Sequence, residues 1–87
     1  MNTKNRTTRT STDVQLTPIS NTEWRVSDVR VPWDSAFSLI GFISMNAGTY
    51  EVFEFGDPMR TFFVGSMAKA ESKFVQHAGR LDERLTV

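Results

Sequence analysis

The chain has 87 residues, of which 39% are hydrophobic and 23% charged, and its ten basic residues balance ten acidic ones. A chain of this length forms one domain, and its neutral total charge argues against an electrostatic attraction of the whole protein to nucleic acid or anionic membrane. The sequence has no cysteine, which excludes disulfides, thiolate metal sites and a cysteine nucleophile.

The first twelve residues form a polar, basic stretch that carries Lys4, Arg6 and Arg9 and no acidic residue. Such a segment cannot bury enough apolar surface to offset the entropy lost on ordering, so we predict a disordered tail over residues 1–12. It serves either as a solubilising tail or as a basic arm that contacts phosphate or an acidic partner. It lacks the apolar run of about 7–15 residues found in secretory signals, so we expect a cytoplasmic protein.

Two short strands are predicted between this tail and the main hydrophobic region. The segment Asp13–Ser20 predicts an edge strand that Pro18 interrupts, because proline has no N–H to donate. The segment Glu23–Val31 predicts a second strand, but its apolar residues change faces between Val26 and Val29. That change fits a bulge between them, and it fits equally well two strands split by a kink.

The stretch 37–64 holds most of the large apolar residues and predicts a three-stranded antiparallel meander. Its candidate strands are Ala36–Met45, Thr49–Phe55 and Met59–Val64. These segments are rich in β-branched and aromatic residues, which favour strands. Gly48 and Pro58 mark the turns between them, since glycine accepts a positive φ and proline presets φ. With the two earlier segments, the pattern predicts an antiparallel sheet of three to five strands.

Beyond the meander the apolar period changes from two to 3.6, which predicts one C-terminal helix over residues 67–78. Ser66 is a suitable N-cap and Gly79 a suitable stop for that helix. The predicted fold class is therefore α+β, with the helix packed on one face of the sheet. We assign the domain to residues 13–79 and a C-terminal tail to residues 80–87.

Catalytic and cofactor motifs are not recognisable in this sequence. His77 falls in the last turn of the predicted helix, where the helix dipole favours a cation, and one imidazole does not make a metal site. Glu51 and Glu54 are three apart on a strand, so they project to opposite faces and do not form an acid–base couple. We predict a protein that is not an enzyme, with no metal, cofactor, membrane contact or small-molecule substrate.

Large apolar residues are predicted on both faces of the sheet, whereas a single helix covers only one. The residues predicted for one face are Leu39, Ile43, Tyr50, Val52 and Phe63, and those predicted for the other are Ile40, Phe42, Phe53, Phe55, Phe62 and Val64. The sequence leaves open which of Phe62 and Phe63 lies on which face. The uncovered face needs a cover. Either the segment Val14–Trp33 folds across it, with Trp24 and Trp33 as lids, or a protein partner such as a second copy binds there.

We therefore predict a small non-catalytic protein-interaction module that binds a partner protein or associates with itself through its aromatic sheet face. The candidate contact residues are Trp33, Phe42, Phe53 and Phe55. The alternative is a nucleic-acid-binding accessory protein that uses the sheet and the basic N-terminal arm, with weak affinity because few phosphates are neutralised. Its candidate contacts are Lys4, Arg6, Arg9, Arg25, Arg30 and Arg60.

Overall fold

The alternating apolar segments form an open, five-stranded antiparallel sheet in the computed structural model, which describes residues 8–75. The strands are β1 (Val14–Pro18), β2 (Glu23–Asp28), β3 (Leu39–Asn46), β4 (Thr49–Glu54) and β5 (Arg60–Val64), and the helix that follows is α1 (Met67–Ser72). Each strand pairs with its neighbour in chain order, so β1 and β5 are the two edges. The predicted α+β class, with an antiparallel sheet and one helix after it, is confirmed.

A two-residue turn joins β3 to β4. Asn46 pairs with Thr49, which leaves Ala47 and Gly48 as the turn residues, with φ of 54° and 82°. Positive φ at both positions is the requirement of a type I′ turn, whose twist matches that of the flanking strands. Gly48 meets this requirement without steric cost, as predicted. In the next loop, the peptide bond before Pro58 is cis.

A bulge in β3 sets which side chains face the helix. Val26 pairs with Gly41, but the next residue of β2 pairs with Leu39. The extra residue is therefore Ile40, and the bulge lies in β3 rather than in β2, where a bulge was one of the two alternatives that we left open. One extra residue interrupts the alternation of side chains. For this reason Ile40 and Ile43 share the core, at 8% and 0% exposure, although they are three residues apart.

The core lies between α1 and one face of the sheet. Its buried apolar residues are Val14, Val26, Ile40, Ile43, Val52, Ala70 and Phe74. Phe62 pairs with Val52 across β4 and β5 and packs against this core, whereas Phe63 points away and is 68% exposed. The strand register thus determines that Phe62 faces the core and Phe63 the opposite side.

Helix α1 begins where we predicted, because the Ser66 hydroxyl accepts a hydrogen bond of 3.1 Å from the backbone N–H of Lys69. It ends at Ser72, earlier than predicted. Beyond that residue, the N–H groups of Phe74 and Val75 donate to carbonyl oxygens three residues earlier. This tighter, 3₁₀-like spacing closes the helix. Residues 76–78 of the predicted helix, its predicted stop at Gly79 and the predicted C-terminal tail lie outside the described residues.

Phe74 is fully buried, and its ring lies directly on Gly41 of β3. A Cβ atom at position 41 would stand 2.5 Å from Cε1 of Phe74 and would also meet the carbonyl oxygen of Phe53. Distances this short do not occur between non-bonded carbons. The absence of a side chain at Gly41 is therefore what lets the ring reach the sheet.

The segment Val14–Trp33 does not fold across the second face of the sheet, so the predicted lid is wrong. Residues 14–28 instead form β1 and β2. β2 pairs with β3 and β1 pairs with β2, so the two strands extend the sheet in its own plane. Trp24 lies on the core side, with its ring centroid 6.4 Å from that of Tyr50. Trp33 is 88% exposed.

We expect Gly41→Ala to lower the free energy of unfolding by about 1–3 kcal/mol, because overpacking forces the Phe74 ring or β3 to move. The measurement is a urea denaturation midpoint. Gly65→Ala is the matched control, since a Cβ there meets no described atom within 4 Å. Equal midpoints for the two variants would contradict this account of Gly41.

Candidate functional site

The face of the sheet opposite α1 carries a group of large aromatic residues. Ile43 and Val52 are fully buried beneath the helix. Their neighbours in sequence, Phe42 and Phe53, therefore point to the other side, because successive side chains of a strand alternate between faces. Phe42 and Phe53 are also directly opposite each other on β3 and β4. We call this side of the sheet the outer face.

Phe42, Phe53 and Phe55 pack together on the outer face, and we call them the aromatic cluster. The ring centroids of Phe42 and Phe55 are 5.8 Å apart, and those of Phe53 and Phe55 are 5.6 Å apart, both edge to face. Aromatic rings prefer this geometry, which is worth about 0.5–1.5 kcal/mol per pair beyond burial. Phe53 nevertheless remains 37% exposed. The predicted contact residues of the meander are thus brought together.

Trp33 is not brought into the aromatic cluster. It lies in the loop between β2 and β3, and its ring makes none of the aromatic contacts found among residues 8–75. Phe37, which we did not select from the sequence, is 84% exposed in the same loop. Phe63 lies on the outer face of β5, opposite Glu51 of β4.

Polar residues border the aromatic cluster in a pattern set by the strand register. Arg25 of β2 lies opposite Phe42, while Ser44 lies between Glu23 of β2 and Glu51 of β4. A shallow groove of about 310 Å³ runs here. It is lined by Glu23, Phe42, Ile43, Ser44, Glu51 and Phe53. The outer face therefore combines an apolar centre with charges of both signs beside it.

A second polar site surrounds Asp28 on the core side of β2. Asp28 continues the phase of Trp24 and Val26, so its carboxylate is carried toward the core and is 4% exposed. A buried carboxylate is costly unless it is paired. Arg30 supplies that pairing through Nη2, at 2.8 Å from Oδ2, and through Nε and its backbone N–H, each 3.0 Å from Oδ1. Arg9 adds Nε at 3.2 Å from Oδ2.

Asp13 also belongs to this site, since its Oδ2 lies 3.8 Å from Nε of Arg30, and the pKa values of both aspartates are lowered. The side-chain hydrogen bonds from Arg30 hold the pKa of Asp28 well below its ordinary value; burial opposes this shift, and the Arg30 backbone and Arg9 add to it. The pKa of Asp13 is also lowered, chiefly by a hydrogen bond from the backbone N–H of Thr10. Both carboxylates are therefore charged at neutral pH, and we call Arg9, Asp13, Asp28 and Arg30 the charged clasp.

The charged clasp also fastens the N-terminal segment to the end of the helical region. Arg9 Nη1 donates a hydrogen bond of 2.9 Å to the carbonyl oxygen of Phe74, and Arg30 Nη1 donates one of 3.0 Å to that of Thr8. Residues 8–12, which we predicted to be part of a disordered tail, thus make specific contacts with the rest of the domain. The remaining residues of that prediction, 1–7, lie outside the described part of the chain.

The candidate nucleic-acid contacts do not form one surface. Arg9 and Arg30 bind Asp28 in the charged clasp. Arg25 lies on the outer face, and Arg60 lies at the start of β5, opposite Glu54. Lys4, Arg6 and the single histidine, His77, are outside the described residues.

Asp28 was not selected from the sequence, although a signal was present there. It stands two residues after Val26, in the phase of the core. A carboxylate in that position needs a cationic partner, and Arg30 is close enough in sequence to be one.

Comparisons of the chain with protein-family models, with curated proteins and with solved structures each find no match. Residues 8–75 contain no group of three or more histidine, cysteine, aspartate or glutamate residues arranged to hold a metal ion. Within the same range, no helix has the length and apolar character needed to cross a membrane.

We expect Asp28→Asn to lower the free energy of unfolding at pH 7 by about 2 kcal/mol, the scale of a hydrogen bond to a charged group. The pKa of Asp28 is lower in the folded chain than in the unfolded chain. Its stabilisation is therefore complete above pH about 4 and is lost as the pH falls toward the folded value. Urea titrations from pH 7 to pH 2 should show the difference between wild type and variant shrinking.

The control for this experiment is Asp34→Asn, which changes an exposed carboxylate in the β2–β3 loop. It should leave the pH dependence of stability unchanged. A constant difference between wild type and Asp28→Asn down to pH 2 would contradict a charged, clasped Asp28.

Proposed function

We propose that this chain is a small non-catalytic protein-interaction module that binds its partner through the aromatic cluster. The observation that carries the proposal is that Phe42, Phe53 and Phe55 pack edge to face on the side of the sheet that α1 leaves uncovered. An antiparallel sheet normally presents polar side chains on the face that meets water. Contiguous apolar surface outside the core is typical of protein-binding sites.

The energetics of the aromatic cluster favour binding. Covering apolar surface gains about 25 cal/mol per Å², and phenylalanine side chains offer large areas. Edge-to-face packing already restricts the three rings, so little side-chain entropy remains to be lost when a partner covers them. The cluster therefore offers preorganised apolar area, which is the property of residues that dominate binding energy in interfaces.

The surroundings of the aromatic cluster fit the same function. Protein interfaces have an apolar centre with aromatic residues and a polar rim that meets solvent. Here Arg25, Glu23 and Glu51 supply a rim with charges of both signs. Such a rim orients a protein partner more than it attracts one. The cytoplasmic location expected from the sequence is part of this proposal, and a cysteine-free composition supports it.

The partner can be identified by photo-crosslinking from position 53, with position 37 as the matched control. Both phenylalanines are exposed, but only Phe53 belongs to the aromatic cluster. With benzoylphenylalanine in place of each residue, we expect a defined protein adduct from position 53 and none from position 37. Mass spectrometry then identifies the bound protein, whether it is another protein or a second copy of the chain.

Titration with the purified partner then tests the contact. Phe53→Ser should raise Kd at least tenfold, since truncating a central aromatic residue costs about 1.4 kcal/mol or more. Phe37→Ser should change Kd less than twofold. Equal crosslinking from both positions, or an unchanged Kd for Phe53→Ser, would overturn the proposed function.

Nucleic-acid binding is the competing function. It would depend on basic side chains and would weaken with salt, so it can be tested directly. We expect no saturable binding of a fluorescently labelled DNA duplex by the full chain at physiological salt, measured by anisotropy. Of its candidate contacts, Arg9 and Arg30 are bound to Asp28. Saturable binding that weakens steeply with salt and is lost in the Arg25→Ala, Arg60→Ala double variant would instead favour a nucleic-acid partner.

A further inference from the structure

We infer that the outer face binds a second copy of this chain about a twofold axis, with Arg25 of each copy contacting Glu51 of the other. The pairing depends on the aromatic cluster being a binding surface, as proposed above, and adds the identity of the partner. It follows from the register of β2, β3 and β4 and from the charges that the outer face leaves without partners.

Arg25 and Glu51 occupy opposite sides of β3. Arg25 lies opposite Phe42, and Glu51 lies opposite Ser44. Phe42 and Ser44 are successive outer-face positions of β3. Arg25 therefore lies one strand away on one side of β3 and Glu51 one strand away on the other side, and the two differ by one row, which is two residues along a strand. Strand spacings of about 4.8 Å and rows of about 6.8 Å place their Cα atoms roughly 12 Å from each other.

A twofold axis that exchanges these two positions lies parallel to the outer face and passes over β3 between Phe42 and Ser44. In a twofold interface, whenever residue i contacts residue j of the partner, j contacts i. One axis therefore creates two Arg25–Glu51 contacts, one on each side of β3. It also brings Phe42 of both copies beside the axis and packs the two aromatic clusters against each other.

Arg25 and Glu51 are available for such contacts. Within residues 8–75, neither side chain takes part in a hydrogen bond or a salt bridge, in contrast to the arginines of the charged clasp. A guanidinium pairs with a carboxylate through two parallel hydrogen bonds, which fixes orientation as well as adding energy. The chain has a formal net charge of zero, so two copies approach each other without overall repulsion.

Glu23 supplies an opposing interaction that helps to test the arrangement. It lies in the same row as Ser44 and Glu51, on the strand that carries Arg25. The axis that exchanges Arg25 and Glu51 passes close to Glu23, so the two copies bring like charges together there. Replacing this carboxylate by an amide, as in Glu23→Gln, should therefore strengthen the association.

The experiment is sedimentation equilibrium of the full chain over a concentration series. Wild type should form a dimer, and Arg25→Glu and Glu51→Arg should each weaken it at least tenfold, because each creates two like-charge contacts. An equimolar mixture of these two variants should dimerise again, since both contacts then pair glutamate with arginine. Glu23→Gln should tighten the dimer. Arg60→Glu carries the same charge change as Arg25→Glu outside the outer face, and it should leave the dimer unchanged.

The outcomes separate this pairing from the proposed function. A dimer that Phe53→Ser dissociates but Arg25→Glu does not would overturn the pairing and leave the aromatic cluster as a binding surface. A wild-type monomer at every concentration, with a different protein crosslinked from position 53, would overturn the second copy only. A dimer that Phe53→Ser leaves intact would overturn the pairing, and if position 53 also gave no specific protein adduct, the proposed function would be overturned as well.

Discussion

The Phe74 ring packed on Gly41 is the contact on which the arrangement of this protein depends. It holds the short helical region against one face of a five-stranded sheet, and that face becomes the core. Because strand side chains alternate, choosing one face for the core also determines which residues are left on the other. Burying Ile43 and Val52 under the helix leaves Phe42 and Phe53 outside. The aromatic cluster is thus a direct consequence of covering one face with one helix.

Charged residues have different surroundings in the charged clasp and on the outer face. In the charged clasp, Arg9 and Arg30 neutralise a carboxylate that the strand phase carries into the core, so these charges stabilise the fold. On the outer face, Arg25 and Glu51 lie beside exposed phenylalanines and have no partner among the described residues. The same residue types are therefore paired in the charged clasp and unpaired on the outer face. Composition alone does not distinguish these two settings.

Much of this architecture could be predicted because it depends on residues close in sequence. The Ala47–Gly48 turn, the Ser66 N-cap and the alternation that gathers Phe42, Phe53 and Phe55 are all local features. The bulge at Ile40 could not be placed, because it exists only in the pairing of β3 with β2. Of the two partners of Asp28, Arg9 could not be predicted because it lies 19 residues away, whereas Arg30 is only two residues away. The position of Trp33 outside the aromatic cluster could not be predicted, because a loop has no periodicity that indicates where a side chain points.

The hydrogen bond between Arg9 and the Phe74 carbonyl has a consequence for the order in which the chain folds. Strands that pair in chain order close short loops, which cost little chain entropy, so the hairpins can form one after another. The Arg9 contact spans 65 residues, so it closes a much longer loop than any of the hairpins. During synthesis, the contacts of Arg9 and Arg30 with Asp28 need no residue beyond Arg30, whereas the hydrogen bond from Arg9 to the Phe74 carbonyl cannot form until Phe74 has been made. The link from the charged clasp to the helical region is therefore the last of these contacts to close.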